Sequence, residues 1–220
     1  MASSMDFLLW VRGPVFDVAL AIFLIGVVAR LLEVLLLGRK KLHSEPKGGV
    51  FGPGMAEVFK RSVPLPDIIK RGAVTLVGGY IFHIGLFITI FLFVPHIELI
   101  DSVFGVRWPG LPNPIVDGVA VVTMVALVVL LLHRLRHPVK RMLSTYEDYL
   151  TWLVTFLPIL TGWLAYHRLV NPYPLVLGLH ILSVELLMVV LPFTKLMHTF
   201  TVFISRWYNG AIYGRRGVTS

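Results

Sequence analysis

The sequence predicts an all-α integral membrane bundle of five helices, with the N-terminus outside and the C-terminus in the cytoplasm. Three observations carry that expectation. Of 220 residues, 56% are hydrophobic and the mean hydropathy is +0.81, whereas a soluble globular domain is nearer about 45–50% apolar. Five apolar segments stand out, each able to cross a bilayer as a helix, for which roughly 17–25 residues suffice. Sixteen basic residues fall on the side reached after the first, third and fifth segments, and only Arg12, Arg107 and Arg168 on the other. The positive-inside rule then sets the orientation.

Composition also excludes chemistry. The chain has no cysteine, so it holds no disulfide, no cysteine-ligated iron-sulfur cluster and no thioether-linked haem. Any haem is bound non-covalently. The formal charge of +8 is spread as a membrane-orienting bias and does not point to nucleic acid. The N-terminal MASSMDFLLWVRGPVFD has no basic stretch ahead of its apolar run and no small-residue cleavage site, and reads as retained.

The first span runs from about Val15 to Leu37 and carries Arg30 near its cytoplasmic end. Arg30 reads equally as a snorkelling residue paired with Glu33 and as a bidentate partner for a haem propionate. A basic loop follows, SEPKGGVFGPGMAEVFKRSVPLPDII at its heart. Its first reading is an interfacial connector and its second a docking surface for a cytoplasmic partner. The second span, about Ala73 to Val94, contains His83, with His96 just beyond its end. Gly78, Gly79 and Gly85 on it let a helix or a flat macrocycle approach the backbone. An outer loop from about His96 to Pro114, with the turn-rich WPGLPNP, leads to the third span, Ile115 to Leu132. His133 and His137 after it, like His43, sit among basic loop residues and read as solvated. The fourth span is Tyr149 to Tyr166, with His167 at its outer end, and the fifth is Pro174 to Met197.

The fifth segment carries the functional expectation. His180 and His198 are eighteen residues apart, which is five turns at about 3.6 residues per turn, so one helix would present both on one face. They would lie roughly 27 Å apart, close to the hydrocarbon thickness. Ionisable side chains in a span default to function, and imidazole is a haem-iron ligand. Two helices with two histidines each can cage two b haems by bis-imidazole ligation. Counting leaves the pairing open, because His83 lies between its two possible partners in depth. His96 is rotated about 220° from His83 on an ideal helix, although Pro95 bends that end. Glu185, about 140° around the helix from His180, reads first as a structural hydrogen-bonding group and second as a proton-handling residue near a quinone.

Several motifs are similar to those of the gamma subunit of membrane-bound respiratory nitrate reductase. The cytochrome b subunits of heterodisulfide-reductase-like and dissimilatory-sulfite-reductase-associated complexes are related to it. The resemblance spans about 180 residues and rests on PFTKLMH ending at His198, with His180 at the family's spacing; on FHIG, Phe82 to Gly85; and on FLIG-x-x-x-R, Phe23 to Arg30. The basic His-Pro loop and Asp148 also fit. What the resemblance implies is a cytochrome b with two haems between the second and fifth helices, His83 pairing with His198 on the cytoplasmic side. The outer haem would take His180 and a second-helix histidine ten residues after His83. That position is Phe93 here, which leaves a shifted site using His96, a site using His167, or no outer site.

The expected function is a haem b subunit in a prokaryotic cytoplasmic membrane. It would pass electrons between menaquinone or ubiquinone and an iron-sulfur subunit docked on the cytoplasmic face, with His96 and Arg107 as outer polar groups near the quinone. The alternative is a haem-free anchor that recruits a soluble complex through its basic face.

Overall fold

The computed structural model describes residues 3–36, 45–64 and 66–218. Among them every regular element is helical and no strand occurs, so the expectation of an all-α bundle holds. Five helices are long and apolar enough to cross a membrane: Ser4–Leu36, Gly72–Phe91, Asn113–Arg136, Tyr146–Tyr166 and Tyr173–Phe193. The protein is a multi-pass membrane protein. Leu24, Ile25, Val122 and Val125 are more than half exposed, as side chains facing lipid are. His43, Arg39, Lys40 and Lys41, expected in the first basic loop, lie outside the described residues.

In chain order, α1 (Ser4–Trp10) runs through a wide π turn at Val11–Val15 into α2 (Phe16–Leu36). Then come α3 (Phe51–Lys60), α4 (Pro66–Phe91), α5 (Val94–Phe104) and α6 (Asn113–Arg136). The rest is α7 (Pro138–Leu143), α8 (Tyr146–Tyr166), α9 (Tyr173–Val190) and α10 (His198–Arg216). The first span begins well before Val15 because Ser3 and Asp6 form a reciprocal cap, Asp6 N–H donating to Ser3 Oγ at 3.1 Å and Ser3 N–H to Asp6 Oδ2 at 2.7 Å. The π turn absorbs Pro14, which lacks the N–H an α-helix would require there. The outer loop expected from His96 contains α5, which starts on Val94–Pro95 and stops at Gly105 with φ of 66°, where glycine has no Cβ to clash.

The connector reading of the first loop is refined by α3, which lies along α10. Gly54 makes this possible: a Cβ there would meet the Trp207 indole at 2.6 Å. Lys47 N–H donates to the Arg215 carbonyl at 2.8 Å, and Arg206 donates to Ser62 Oγ at 2.7 Å. Together these make one platform at one end of the bundle.

The largest correction concerns the fifth span, expected to be one helix to Met197. α9 stops at Val190, Leu191–Phe193 tightens into a 3₁₀ turn, and Thr194 is extended with φ of −129° and ψ of 179°. Pro192 causes this by withdrawing a backbone donor. After a second tight turn at Lys195–Met197, His198 opens α10. His180 and His198 therefore do not share a face of one helix.

The spans form an arc. α4 packs along α6, α6 on α8, α8 on α9, and α9 on the first helix, but no comparable packing joins α4 to α9. Of the glycines expected to admit a helix or a macrocycle, two admit a helix, Gly78 meeting Leu130 and Gly85 the Thr123 hydroxyl of α6. Thr123 is fully buried and its hydroxyl donates to the Val119 carbonyl at 2.7 Å. Gly85→Ala should therefore overpack the seam and destabilise by about 1–3 kcal/mol. Gly118→Ala, where a Cβ meets nothing within 4 Å, should be neutral or stabilising by up to about 1 kcal/mol. Thermal unfolding of both variants in detergent checks the contrast.

A candidate bis-imidazole site between the second and fifth spans

Four histidines meet in two pairs, His83 of α4 with His198 at the start of α10 and His96 of α5 with His180 of α9. The His83 and His198 ring centroids are 6.0 Å apart with their planes at 76°. Those of His96 and His180 are 6.2 Å apart with their planes at 14°. Two axial imidazoles on one iron need two metal–nitrogen bonds of about 2 Å and a little over 1 Å from each nitrogen to its ring centre, roughly 6 Å in all. Rotation about a metal–nitrogen bond leaves it intact, so both interplanar angles are admissible.

The hydrogen bonds set the same tautomer throughout. Nδ1 of His83 faces the Gly79 carbonyl at 2.7 Å, Nδ1 of His96 the Thr89 carbonyl at 2.8 Å, and Nδ1 of His198 the Lys195 carbonyl at 2.7 Å. A carbonyl only accepts, so in each ring Nδ1 carries a proton and Nε2 is the nitrogen left to ligate. Nδ1 of His180 lies 3.3 Å from Thr161 Oγ1. That hydroxyl gives its own proton to the Leu157 carbonyl at 2.7 Å and is left to accept. Such outer contacts orient metal-binding imidazoles and fix their tautomer. Burial pushes the pKa of His96 below the ordinary histidine value, against the opposing pull of the Thr89 and Ile90 carbonyls. The neutral ring is the ligating form.

Local sequence explains each placement. The helix containing His83 ends at Phe91, and Phe93 is extended with ψ of 123°. That break re-aims His96, whose Nδ1 folds back to a carbonyl seven residues earlier, and removes the rotational objection. Trp108 Nε1 donates to the Phe91 carbonyl at 2.6 Å and Leu111 N–H to the Leu92 carbonyl at 2.9 Å, tying the turn-rich outer segment to the break. Phe93 packs edge-on against His96 at 5.2 Å and Tyr166 at 5.6 Å. His167, the other outer candidate, instead holds the Asp117 carboxylate at 2.8 Å.

His180 sits against Gly162 of α8, where a Cβ would come within 2.9 Å of its Cε1. Neither Gly162 nor Thr161 was singled out in the sequence, although a glycine within an apolar span is the signal that could have marked the first. His198 is held through its neighbour. Lys195 N–H donates to Glu147 Oε1 at 2.7 Å, and Lys195 Nζ to Asp148 Oδ1 at 3.0 Å, with Arg134 3.4 Å from the same oxygen. The motif lysine thus ties the turn before His198 to the start of α8. Asp148→Asn should cost about 1–3 kcal/mol, because its side chain is only 11% exposed and serves two cations and a cap. Lys195→Met, at a site 54% exposed, should cost under about 1 kcal/mol. Denaturation midpoints of the two variants measure the difference.

Arg30 pairs with Glu33 at 2.6 Å, and its Nε donates to the Pro192 carbonyl at 3.3 Å. One turn earlier, a Cβ on Gly26 would meet Pro192 Cβ at 2.7 Å. The spacing in FLIG-x-x-x-R therefore places a glycine and an arginine on one helix face against the break in the fifth span. His133 and His137 pack on each other at 5.6 Å, and His137 caps α7. Among the described residues no three His, Asp or Glu side chains converge on one point.

A protein of Nitratidesulfovibrio vulgaris strain Hildenborough, named only "Protein", is 35% identical over 143 residues. The match covers 64% of this chain and 62% of that relative, so the chain spans less than two thirds of the relative's length. No family model and no solved structure matches.

Proposed function

We propose that this chain is the haem b membrane subunit of a respiratory redox complex, moving electrons between the quinone pool and a cytoplasmic iron-sulfur protein. One observation carries the reading: two histidine pairs, with centroids 6.0 and 6.2 Å apart, face each other where two spans fail to pack. A haem-free anchor has no use for four imidazoles aligned in this way.

His83 and His198 would hold one haem and His96 and His180 the other, each offering Nε2, and the chemistry supplied there would be one-electron transfer. The residues of the chain orient the ligand rings, exclude water and balance charge. Arg30, beside Pro192, is the guanidinium for a propionate of the His83–His198 haem. The basic bias supports an N-terminus outside and a C-terminus in the cytoplasm, and the redox role fits a prokaryotic cytoplasmic membrane. The α3–α10 platform then becomes the docking face for the iron-sulfur partner.

A reduced-minus-oxidised absorption spectrum of the purified protein tests this reading. A b-type α band with two haems per chain is expected. Protein that folds in a haem-replete membrane yet shows no such band overturns it.

A further inference from the structure

On the far side of α9 from the imidazole pairs lies a pocket that the haem reading leaves unused. Its volume is about 480 Å³, and it is lined by Trp10, Pro14, Val18, Leu182, Glu185 and Leu186 among others. Glu185 is 2% exposed, and among the described residues neither of its carboxyl oxygens has a hydrogen-bond partner. Its reading as a structural hydrogen-bonding group finds no partner among them. A carboxyl buried among apolar side chains without a partner has a hydrogen-bonding demand that a bound polar group would meet. The π turn that carries Pro14 widens the first helix beside it, and π turns gather at functional sites. Trp10 and Val18 at the rim are 55% and 59% exposed, so the opening faces lipid.

The occupant such a pocket selects is an apolar molecule that reaches it through the bilayer and brings a carbonyl or hydroxyl to the buried acid. The volume falls within the about 300–1,000 Å³ of small-molecule sites. Glu185 is five residues after His180, about 7.5 Å along the axis and about 140° around it, so the pocket and the outer imidazole pair are separated by one helix. We propose that this pocket binds the head group of an isoprenoid quinone or quinol, with the Glu185 carboxyl as its hydrogen-bonding partner. The proposal rests on the redox reading above for its choice of ligand, while the pocket's chemistry stands apart from it.

Photolabelling with a photoreactive isoprenyl naphthoquinone, on the purified full chain in lipid nanodiscs, tests the assignment. Cross-links are expected in peptides spanning residues 10–19 and 182–189, suppressed by excess menaquinone or ubiquinone, whichever is the native type. Glu185→Leu should lower labelling at least tenfold, and Glu185→Gln, which keeps a donor and an acceptor, only severalfold. Haem content reports the fold of each variant. Should the leucine variant fail to assemble, the glutamine variant and competition on the wild type carry the test. Labelling that is spread over the lipid face, indifferent to competing quinone, or unchanged in the leucine variant overturns the proposal. Protection by an added membrane partner but not by quinone also overturns it, making the pocket a helix-docking site. Haem-free protein labelled at this pocket would sink the redox reading alone, and haem-replete protein labelled elsewhere would sink only the pocket.

Discussion

His83→Ala is expected to lower the haem b content from two per chain to one, and His198→Ala to do the same. Because the two rings would share one iron, the double variant should lose no more than either single variant, a non-additivity that marks groups acting as a unit. His96→Ala and His180→Ala should behave identically for the other haem. Combining His83→Ala with His96→Ala crosses the pairs and should remove both. The rings paired at 6.0 and 6.2 Å dictate this pattern, since no single histidine bridges the two levels. Haem-to-protein ratios in membranes from a haem-replete host read it directly. Loss of a haem in His167→Ala would overturn the assignment of the outer site, since His167 is committed to Asp117. Retention of two haems in His96→Ala would overturn it as well.

What made the spans legible was their length and apolarity, which act locally and leave little alternative in a bilayer. The motif spacings were legible for a related reason. Gly26 and Arg30 are one helical turn apart, and that turn is what brings both to Pro192. Where the sequence misleads, a backbone break intervenes. Periodicity carried through Pro192 put His180 and His198 on one helix, and the same habit turned His96 away from the seam. Both errors come from extending 3.6-residue geometry across a missing donor or an extended residue. The pairing of α3 with α10 was hidden for another reason: it depends on glycine–tryptophan and glycine–proline contacts between segments about 150 residues apart, which local pattern does not encode. Gly78 and Gly85 were legible as points of close approach by a helix or a macrocycle, and α6 is what approaches them. A glycine announces close approach but does not say what approaches.

Gly162 gives that distinction a sharp test. A Cβ at this position would meet His180 Cε1 at 2.9 Å and Nδ1 at 3.1 Å, and the ring is already tied to Thr161 on the same helix. The imidazole cannot yield toward α8, so a larger side chain must push it off its place 6.2 Å from the His96 ring. Overpacking of this kind costs about 1–3 kcal/mol, and every 1.4 kcal/mol of lost ligand binding is about tenfold in affinity. Gly162→Val is accordingly expected to release the outer haem at concentrations where the wild type retains it, while the His83–His198 haem stays bound. Gly162→Ala should fall between the two. The selectivity is the diagnostic feature, because general destabilisation of the bundle would lower both haems together. A spectrum showing one haem left, lost in turn on adding His83→Ala, would place the displaced ring at the outer pair. Equal loss of both haems in Gly162→Val would instead make Gly162 a packing residue of the α8–α9 contact, with no special bearing on His180.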